Sequence, residues 1–261
     1  MNLVDVHAHL DHAEFSDQLE QLMPKWKELG VKHIITSGVN TTTNRKALEL
    51  AKRFDIVHAS LGLYPIDALA EELKRGGLAR DLEPIDVDNE LRFIEQQKNN
   101  IIAVGECGLD YKFGKEHAEK QKDVFQRIIH LVERIKKPLI VHSRKAEFDV
   151  IDMLFSSSLK KVVLHCFMGR KHLIKKAADK GYYFSIPPII VRLQHFQLMA
   201  EIVPVTQLLT ETDAPYLSPY PGKRNEPPYV IETIKQIAKI KGFTEEETAN
   251  TIFMNFQNLF L

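Results

Sequence analysis

The stretch Leu3-Val4-Asp5-Val6-His7-Ala8-His9-Leu10 joins an apolar run to two histidines that stand two residues apart. Residues i and i+2 of a β-strand point to the same face, so the two imidazoles would project from one side while the valines pack on the other. Such a pair is suited to binding one metal ion. A strand that carries two histidines by chance is the alternative interpretation, because short motifs match easily.

Similar Val-, Ile- and Leu-rich runs recur along the chain and alternate with longer segments of helical periodicity. Strands are predicted over residues 3–7, 33–39, 56–61, 101–106, 139–142, 162–165, 182–186 and 207–210. Helices are predicted over residues 17–29, 43–54, 88–98, 116–136, 147–155 and 171–180, with a last helix from a capping box at Thr244 to Phe260. Apolar strands without alternation are typical of a parallel sheet buried on both faces. We therefore predict an α/β fold, a single (β/α)8 TIM barrel that occupies residues 1–261 as one domain.

The one long insertion covers residues 66–87, after the third predicted strand. It contains an amphipathic piece over residues 67–75, a Gly76-Gly77 break and Pro84. In a barrel this loop would stand at the mouth, where it would be either a solvated excursion or a partial lid over the site.

Charge and cysteine content exclude several classes of protein. The chain has 35 Lys and Arg against 35 Asp and Glu, so no global basic field would concentrate nucleic acid, and a polyanion would have to be held locally. Cys107 and Cys166 lie in strand-like runs and are expected to be free thiols of a reduced interior. No signal-peptide pattern and no uncharged segment of membrane-spanning length is found. We expect a soluble cytoplasmic protein with no membrane association and no obligate protein partner.

Charged or imidazole side chains follow the apolar run of five predicted strands. They are His7 and His9, Glu106, His142, His165 and Asp213. Burying such groups is costly unless they are paired or bind a metal, and the C-terminal strand ends of a barrel share one mouth. We therefore expect all six to meet there. The remaining histidines lack this context and are interpreted as surface or core residues: His12, His33, His58, His117, His130, His172 and His195.

The order of these motifs resembles that of the TatD-type metal-dependent hydrolases of the amidohydrolase superfamily. The resemblance spans nearly the whole chain and rests on these segments: Asp5-Val6-His7-Ala8-His9-Leu10-Asp11, Gly62-Leu63-Tyr64-Pro65, Gly105-Glu106-Cys107-Gly108-Leu109-Asp110, Pro138-Leu139-Ile140-Val141-His142-Ser143-Arg144, Leu164-His165-Cys166-Phe167, Glu211-Thr212-Asp213-Ala214-Pro215-Tyr216-Leu217 and Arg224-Asn225-Glu226-Pro227. Each segment alone is weakly specific, whereas their combination in this order is highly specific. The resemblance implies a TIM barrel that holds one or two divalent metal ions. Characterised members of the family include nucleases that act on DNA from the 3′ end.

The six candidate ligands are suited to a pair of metal ions. Two neighbouring metals can activate water and stabilise the oxygens of an in-line phosphoryl displacement. Glu106 has two carboxylate oxygens, so it can bridge a metal held by His7 and His9 to a second metal held by His142 and His165. Imidazoles favour zinc, whereas carboxylates with open water positions suit magnesium or manganese.

Asp213 can contact the first metal and accept a proton from the attacking water, which is the role of a general base. The predicted catalytic residues are therefore Asp213 and Glu106. Cys107 and Cys166 lie beside proposed ligands, but their expected role is packing.

Substrate contacts are predicted at Arg144, two residues after His142, and at Arg224, beyond the Asp213 strand, because a guanidinium suits phosphate oxygens. Surface salt bridges are the alternative role for both. Tyr64 is a third candidate and departs from the family pattern, in which histidine is usual in the Gly-x-His-Pro element. A tyrosine can donate a hydrogen bond but is a poor base at neutral pH. Met168 also departs, because a small polar residue commonly follows His-Cys-Phe.

Three functions are compatible with these residues. The first is a metal-dependent phosphodiesterase of the 3′–5′ deoxyribonuclease type, acting on nucleic acid or a short phosphodiester. The second is a hydrolase of small amides, lactones or phosphoesters on the same metals. The third is a binding protein without turnover, which the intact ligand set disfavours. An open basic groove with aromatic stacking partners would favour a nucleic-acid strand, and a closed pocket would favour a small molecule.

Overall fold

The computed structural model describes residues 1–70, 73 and 82–261. One parallel sheet of eight strands, arranged in chain order, lies at its centre. The strands are β1 (Leu3–Ala8), β2 (Val31–Ser37), β3 (Val57–Leu61), β4 (Ala103–Asp110), β5 (Leu139–Arg144), β6 (Val162–His165), β7 (Tyr183–Ile186) and β8 (Leu208–Thr210). This confirms the predicted (β/α)8 barrel.

The sheet closes where the segment after β8 meets β1. Ala8 and Ala214 form a parallel bridge. The amides of His9 and Asp213 donate hydrogen bonds of 2.8 Å to the carbonyls of Ala214 and His7 respectively. The closure of the barrel therefore places Asp213 beside the two histidines of the first strand.

Helices cover the outside of the barrel. Among the described residues they are α1 (Leu19–Glu28), α2 (Thr41–Arg53), α3 (Val87–Gln96), α4 (Ala118–Ile135), α5 (Glu147–Phe155), α6 (Lys171–Asp179), α7 (Gln194–Ile202), α8 (Val230–Lys241) and α9 (Glu245–Phe260). The predicted helices are all present with ends shifted by a few residues, whereas α7 and α8 were not predicted. None of the helices in the described ranges is long and apolar enough to cross a membrane.

One hydrophobic core joins the strands to the inner faces of the helices. On α4, for example, Phe125, Ile128, Ile129 and Val132 are buried, at the spacings of three and four residues that make an apolar stripe. Each fully buried side chain of this kind contributes about 1.5–3 kcal/mol. The strands are thus a rigid frame for the polar residues at their C-terminal ends.

Strand β4 runs four residues beyond Glu106, where it was predicted to end, and finishes at Asp110. Gly105 and Gly108 permit this path, because both have positive φ angles, +146° and +147°. A Cβ atom on Gly108 would lie 2.0 Å from the carbonyl oxygen of His142. The glycines therefore let β4 approach β5 closely, and both acidic residues of β4 reach the same histidine.

The loop predicted over residues 66–87 is described at residues 66–70, 73 and 82–87. Its first residues turn back into the protein, since Tyr64, Ile66 and Leu69 form a small apolar cluster with Leu73 and Phe113 among its neighbours. The rest of the loop, and with it the predicted lid, lies outside the described residues.

Candidate metal centre

The structure brings all six predicted ligands together at the C-terminal ends of the strands. His7 lies in β1, Glu106 in β4, His142 in β5 and His165 at the end of β6. His9 follows β1 directly, and Asp213 lies three residues beyond β8.

Glu106 stands at the centre of this cluster. Its Oε2 lies 3.3 Å from Nε2 of His7 and 3.5 Å from Nε2 of His9. Its Oε1 lies 2.8 Å from Nδ1 of His142 and 3.2 Å from Nε2 of His165. Each carboxylate oxygen therefore faces a different pair of histidines.

Asp213 completes the side of the cluster that contains His7 and His9. Its Oδ1 lies 3.6 Å from Nε2 of His7 and 3.4 Å from Nε2 of His9. The side chain of Asp213 is 18% exposed, whereas that of Glu106 is 6% exposed. Asp213 is thus the carboxylate of the cluster with more access to solvent.

The donor set fits divalent cations. Two groups of three residues have ligand atoms within 4.8 Å of one another: His7, His9 and Asp213, and His7, Glu106 and His165. Nε2 of His7 is buried and makes no hydrogen bond within the described part of the chain, although it points between two carboxylates. A nitrogen in this position is suited to coordinate a metal, and imidazole with carboxylate is a donor set used by zinc and by manganese.

His142 lies beside the second group rather than within it. Its Nδ1 is 3.4 Å from Nε2 of His165, and its Nε2 faces Asp110 Oδ2 at 3.2 Å. The rings of His165 and His7 stack with their centroids 4.0 Å apart. The two groups in the structure therefore share His7, whereas the sequence predicted His142 and His165 as the histidines of the second metal.

The other ring nitrogens of the candidate ligands are oriented by residues that the sequence did not single out. The Ser37 carbonyl lies 3.1 Å from Nδ1 of His9, and the Ser37 hydroxyl lies 3.2 Å from Nδ1 of His7. Glu211 Oε2 lies 3.4 Å from Nδ1 of His165. Such outer partners fix the ring orientation of metal-binding histidines.

Glu211 could have been found from strand spacing, and so could Asp5, whose carboxylate accepts a hydrogen bond from the His7 amide. Asp5 precedes His7 by two residues and Glu211 precedes Asp213 by two, so each pair is expected on one face of an extended chain. Asp110 instead depends on the extension of β4 past Glu106, which Gly105 and Gly108 permit. Ser37 carries no comparable signal.

The two carboxylates of the centre are ionised near neutral pH. Burial opposes the negative charge on Glu106, but the imidazoles of His165 and His142 outweigh it and hold the pKa of the carboxyl well below its usual range. Burial also opposes the charge on Asp213, and its neighbours His9 and His7 lower the pKa of that carboxyl in the same way.

The histidines of β1 differ in their protonation. Burial lowers the pKa of His7, and the nearby imidazole of His165 acts in the same direction. Burial also disfavours the charged form of His9, but Asp213 and Glu106 outweigh it and raise the pKa to about 9.

The remaining two histidines have raised pKa values. Burial acts against protonation of both, and nearby carboxylates outweigh it: Asp110 and Glu106 for His142, and Glu211 and Glu106 for His165. The carboxylates of the centre therefore favour the protonated form of His142 and His165.

The two arginines predicted to contact substrate differ in their surroundings. Arg144 is exposed, its guanidinium lies 5.3 Å from the ring centre of Phe113, and no ion pair joins it to another described residue. Arg224 lies over Phe15 at 4.5 Å, forms a salt bridge of 2.8 Å with Glu226 and donates to the carbonyl of Glu14. Among the described residues no partner occupies the guanidinium donors of Arg144, whereas Arg224 joins the loop after β8 to the loop after β1.

The predicted packing role of the cysteines agrees with their state in the structure. Cys107 and Cys166 are free thiols, and burial raises the pKa of both. The thiolate that a metal would need is therefore disfavoured. Met168 is 44% exposed, and Tyr64 is buried with its hydroxyl bonded to Asp110.

Comparisons with known proteins cover almost the whole chain. The sequence profile of a family described as TatD related DNase matches residues 4–261. A human protein named deoxyribonuclease TATDN3 is 34% identical over 265 residues, which cover 100% of this chain and 95% of that protein. YabD of Bacillus subtilis, named an uncharacterized metal-dependent hydrolase, is 31% identical over 266 residues, covering 99% and 98%. The crystal structure of YJJV, a TatD homologue from Escherichia coli, matches with a TM-score of 0.86 at 24% identity, covering 99% and 97%, and shows the same fold.

Proposed function

Because the chain belongs to the TatD-related DNase family and is a metal-dependent hydrolase of that family, we propose that it is a phosphodiesterase of the 3′–5′ deoxyribonuclease type. The name of the human relative supports DNA as the substrate. The name of the Bacillus relative supports a metal-dependent hydrolase activity without indicating a substrate. We further propose that residues 1–261 act as one domain, since the candidate ligands come from the first strand through the segment after the last.

The observation that carries this proposal is the position of Glu106 between two pairs of histidines. Oε2 faces His7 and His9, and Oε1 faces His142 and His165. A carboxylate with this placement is suited to bridge two cations. Bound divalent metals would polarise a phosphoryl oxygen and supply a water of lowered pKa.

Asp213 is proposed as the general base. Its lowered pKa keeps the carboxylate ionised at neutral pH, so Oδ1 can accept a proton from an attacking water. Its side chain is 18% exposed, and the proton can therefore pass to solvent.

Arg144 is proposed to contact the substrate. It follows His142 by two residues, is exposed and has no ion-pair partner among the residues that the structure describes. A guanidinium with free donors can form paired hydrogen bonds to a phosphate. Because the net charge of the chain is zero, such a local cation is needed to hold a polyanion.

The proposal is tested with purified protein and magnesium, manganese or zinc. The substrates are a 5′-labelled single-stranded DNA with a free 3′ end, the same strand with a blocked 3′ end, an RNA, a small aryl phosphodiester, a lactone and an amide. We expect metal-dependent shortening of the DNA that has a free 3′ end. Glu106→Gln, purified in parallel, should be inactive and controls for contaminating nucleases.

Two outcomes would contradict the proposal. Turnover of the lactone or the amide without cleavage of any phosphodiester would make the protein a small-molecule hydrolase. Full metal loading without turnover of any substrate would favour a binding protein.

A further inference from the structure

Tyr64 is linked to the metal centre through one carboxylate oxygen. It follows β3, and it is only 9% exposed. Its hydroxyl donates to Oδ2 of Asp110 over 2.7 Å, and the same oxygen lies 3.2 Å from Nε2 of His142. The Tyr64 ring also packs edge-on against the His142 imidazole, with the ring centres 4.8 Å apart. Tyr64 therefore contacts His142 directly and through Asp110.

The Asp110 carboxylate has little freedom to turn. It is fully buried, and its Oδ1 accepts hydrogen bonds from the amides of Lys112 at 2.8 Å and Phe113 at 3.2 Å. With Oδ2 shared by Tyr64 and His142, any rotation of the carboxylate breaks one of these contacts. Asp110 is thus a fixed acceptor at the edge of the metal centre.

A fixed acceptor on one side of an imidazole decides which ring nitrogen carries the proton. An ionised carboxylate can only accept, so Nε2 of His142 must donate to Asp110. The lone pair of the neutral ring is then on Nδ1, which lies 2.8 Å from Oε1 of Glu106 and 3.4 Å from Nε2 of His165. Nδ1 is the nitrogen that faces the predicted second metal position.

We propose that Tyr64 is a positioning residue that holds the His142 imidazole, through Asp110, with Nδ1 directed at the metal centre. The inference rests on the proposed function, which makes His142 a metal ligand. In this role Tyr64 does not donate a hydrogen bond to the substrate, because its hydroxyl has one proton to donate and donates it to Asp110. Outer partners of this kind change metal affinity when they are removed.

Tyr64→Phe tests the proposal with little change in shape, since it removes the hydroxyl and keeps the ring against His142. Tyr111→Phe is a matched control. Tyr111 follows Asp110 in the chain, and its hydroxyl donates to Asp149 over the same 2.7 Å, outside the metal centre.

Each variant is compared with the wild type by two measurements. Zinc titration gives the affinity of each site, and ¹⁵N NMR of histidine-labelled, zinc-loaded protein reports the state of both ring nitrogens of His142. We expect Tyr64→Phe to weaken the weaker zinc site about 10–100-fold, and to mix the two ring states or speed exchange of the Nε2 proton. Tyr111→Phe should change neither quantity.

The inference is overturned if Tyr64→Phe leaves both the His142 spectrum and the zinc affinity unchanged. A raised KM with unchanged zinc affinity would also overturn it and restore the substrate contact. His142→Ala tests the proposed ligand role separately. If that variant keeps its full zinc content, the assignment of His142 as a ligand fails, whatever the spectrum of Tyr64→Phe shows about the tautomer.

Discussion

Raising the pH from 7 to 9 should strengthen binding of the first metal, at His7, His9 and Asp213, by about 50-fold. A metal binds the neutral imidazole, so a protonated ligand must first lose its proton. Asp213 and Glu106 outweigh burial and raise the pKa of His9 to about 9, whereas burial lowers the pKa of His7. In the metal-free protein, His9 is thus the histidine of this group that carries a proton at neutral pH.

The magnitude follows from the pKa of His9. Two pH units below a pKa of about 9, only about 1% of the imidazole is neutral. The apparent dissociation constant should therefore fall about tenfold per pH unit up to that pKa and then level off. Because half of the imidazole is neutral at the pKa, the two units together correspond to about 2.3 kcal/mol of binding free energy.

Calorimetric titration with Mn²⁺ measures both the affinity and the protons released. The titration is repeated at several pH values between about 6.5 and 8.5, in buffers that differ in ionisation enthalpy. We expect release of about one proton per first metal bound at pH 7, and less as the pH approaches the pKa of His9. A dissociation constant that stays the same over this range, with no proton released on binding, would refute the reasoning. In that case His9 would either be neutral before the metal binds or not be a ligand.

Three further predictions concern the base, the arginines and the metal-free fold. At full metal occupancy, Asp213→Asn should lower the rate about 10²–10⁴-fold, the contribution of a positioned base, and full activity would exclude that role. Arg144→Met should raise KM for DNA about 10–100-fold through loss of a charge-assisted hydrogen bond. Arg224→Met should instead lower the melting temperature, since it loses the salt bridge to Glu226. Equal effects of the two variants on KM would contradict the assignment of Arg144 as the residue that contacts the substrate. Without metal, the free energy of unfolding should fall as the pH rises from about 6.5 to 9. A histidine with a raised pKa, such as His9, stabilises the fold only while its ring is protonated. Denaturant titrations at several pH values measure this free energy, and a rise over the interval would contradict the prediction.

Much of the centre could be predicted because a parallel barrel converts order in the sequence into proximity in space. Each strand needs an apolar run, and the first polar residue after it lies at the common mouth. This rule alone brings His7, Glu106, His142 and His165 together. Asp213 needs one more fact, the closure of the barrel between Ala8 and the segment after β8.

The remaining features depend on contacts that no local pattern specifies. The extension of β4 follows from two glycines that approach β5, and it alone brings Asp110 to His142. Two hydrogen-bond partners of Arg224, Glu14 and Gln18, lie about two hundred residues away in the chain.

The role of Tyr64 shows the same limit. Its place in the element Gly62-Leu63-Tyr64-Pro65 made it a candidate for contact with the substrate. The structure places its hydroxyl on Asp110, 46 residues further along the chain. Only the side-chain geometry distinguishes a group that binds substrate from a group that orients a neighbouring side chain.

The position of Glu106 between two metal positions is tested most directly by loading the protein with Mn²⁺ and measuring metal content together with electron paramagnetic resonance. We expect two ions per chain with an exchange-coupled spectrum, because one carboxylate faces both pairs of histidines. Glu106→Gln should lose the coupling and at least one ion while remaining folded. Two coupled ions in Glu106→Gln, or a single ion in the wild type at saturation, would contradict the account.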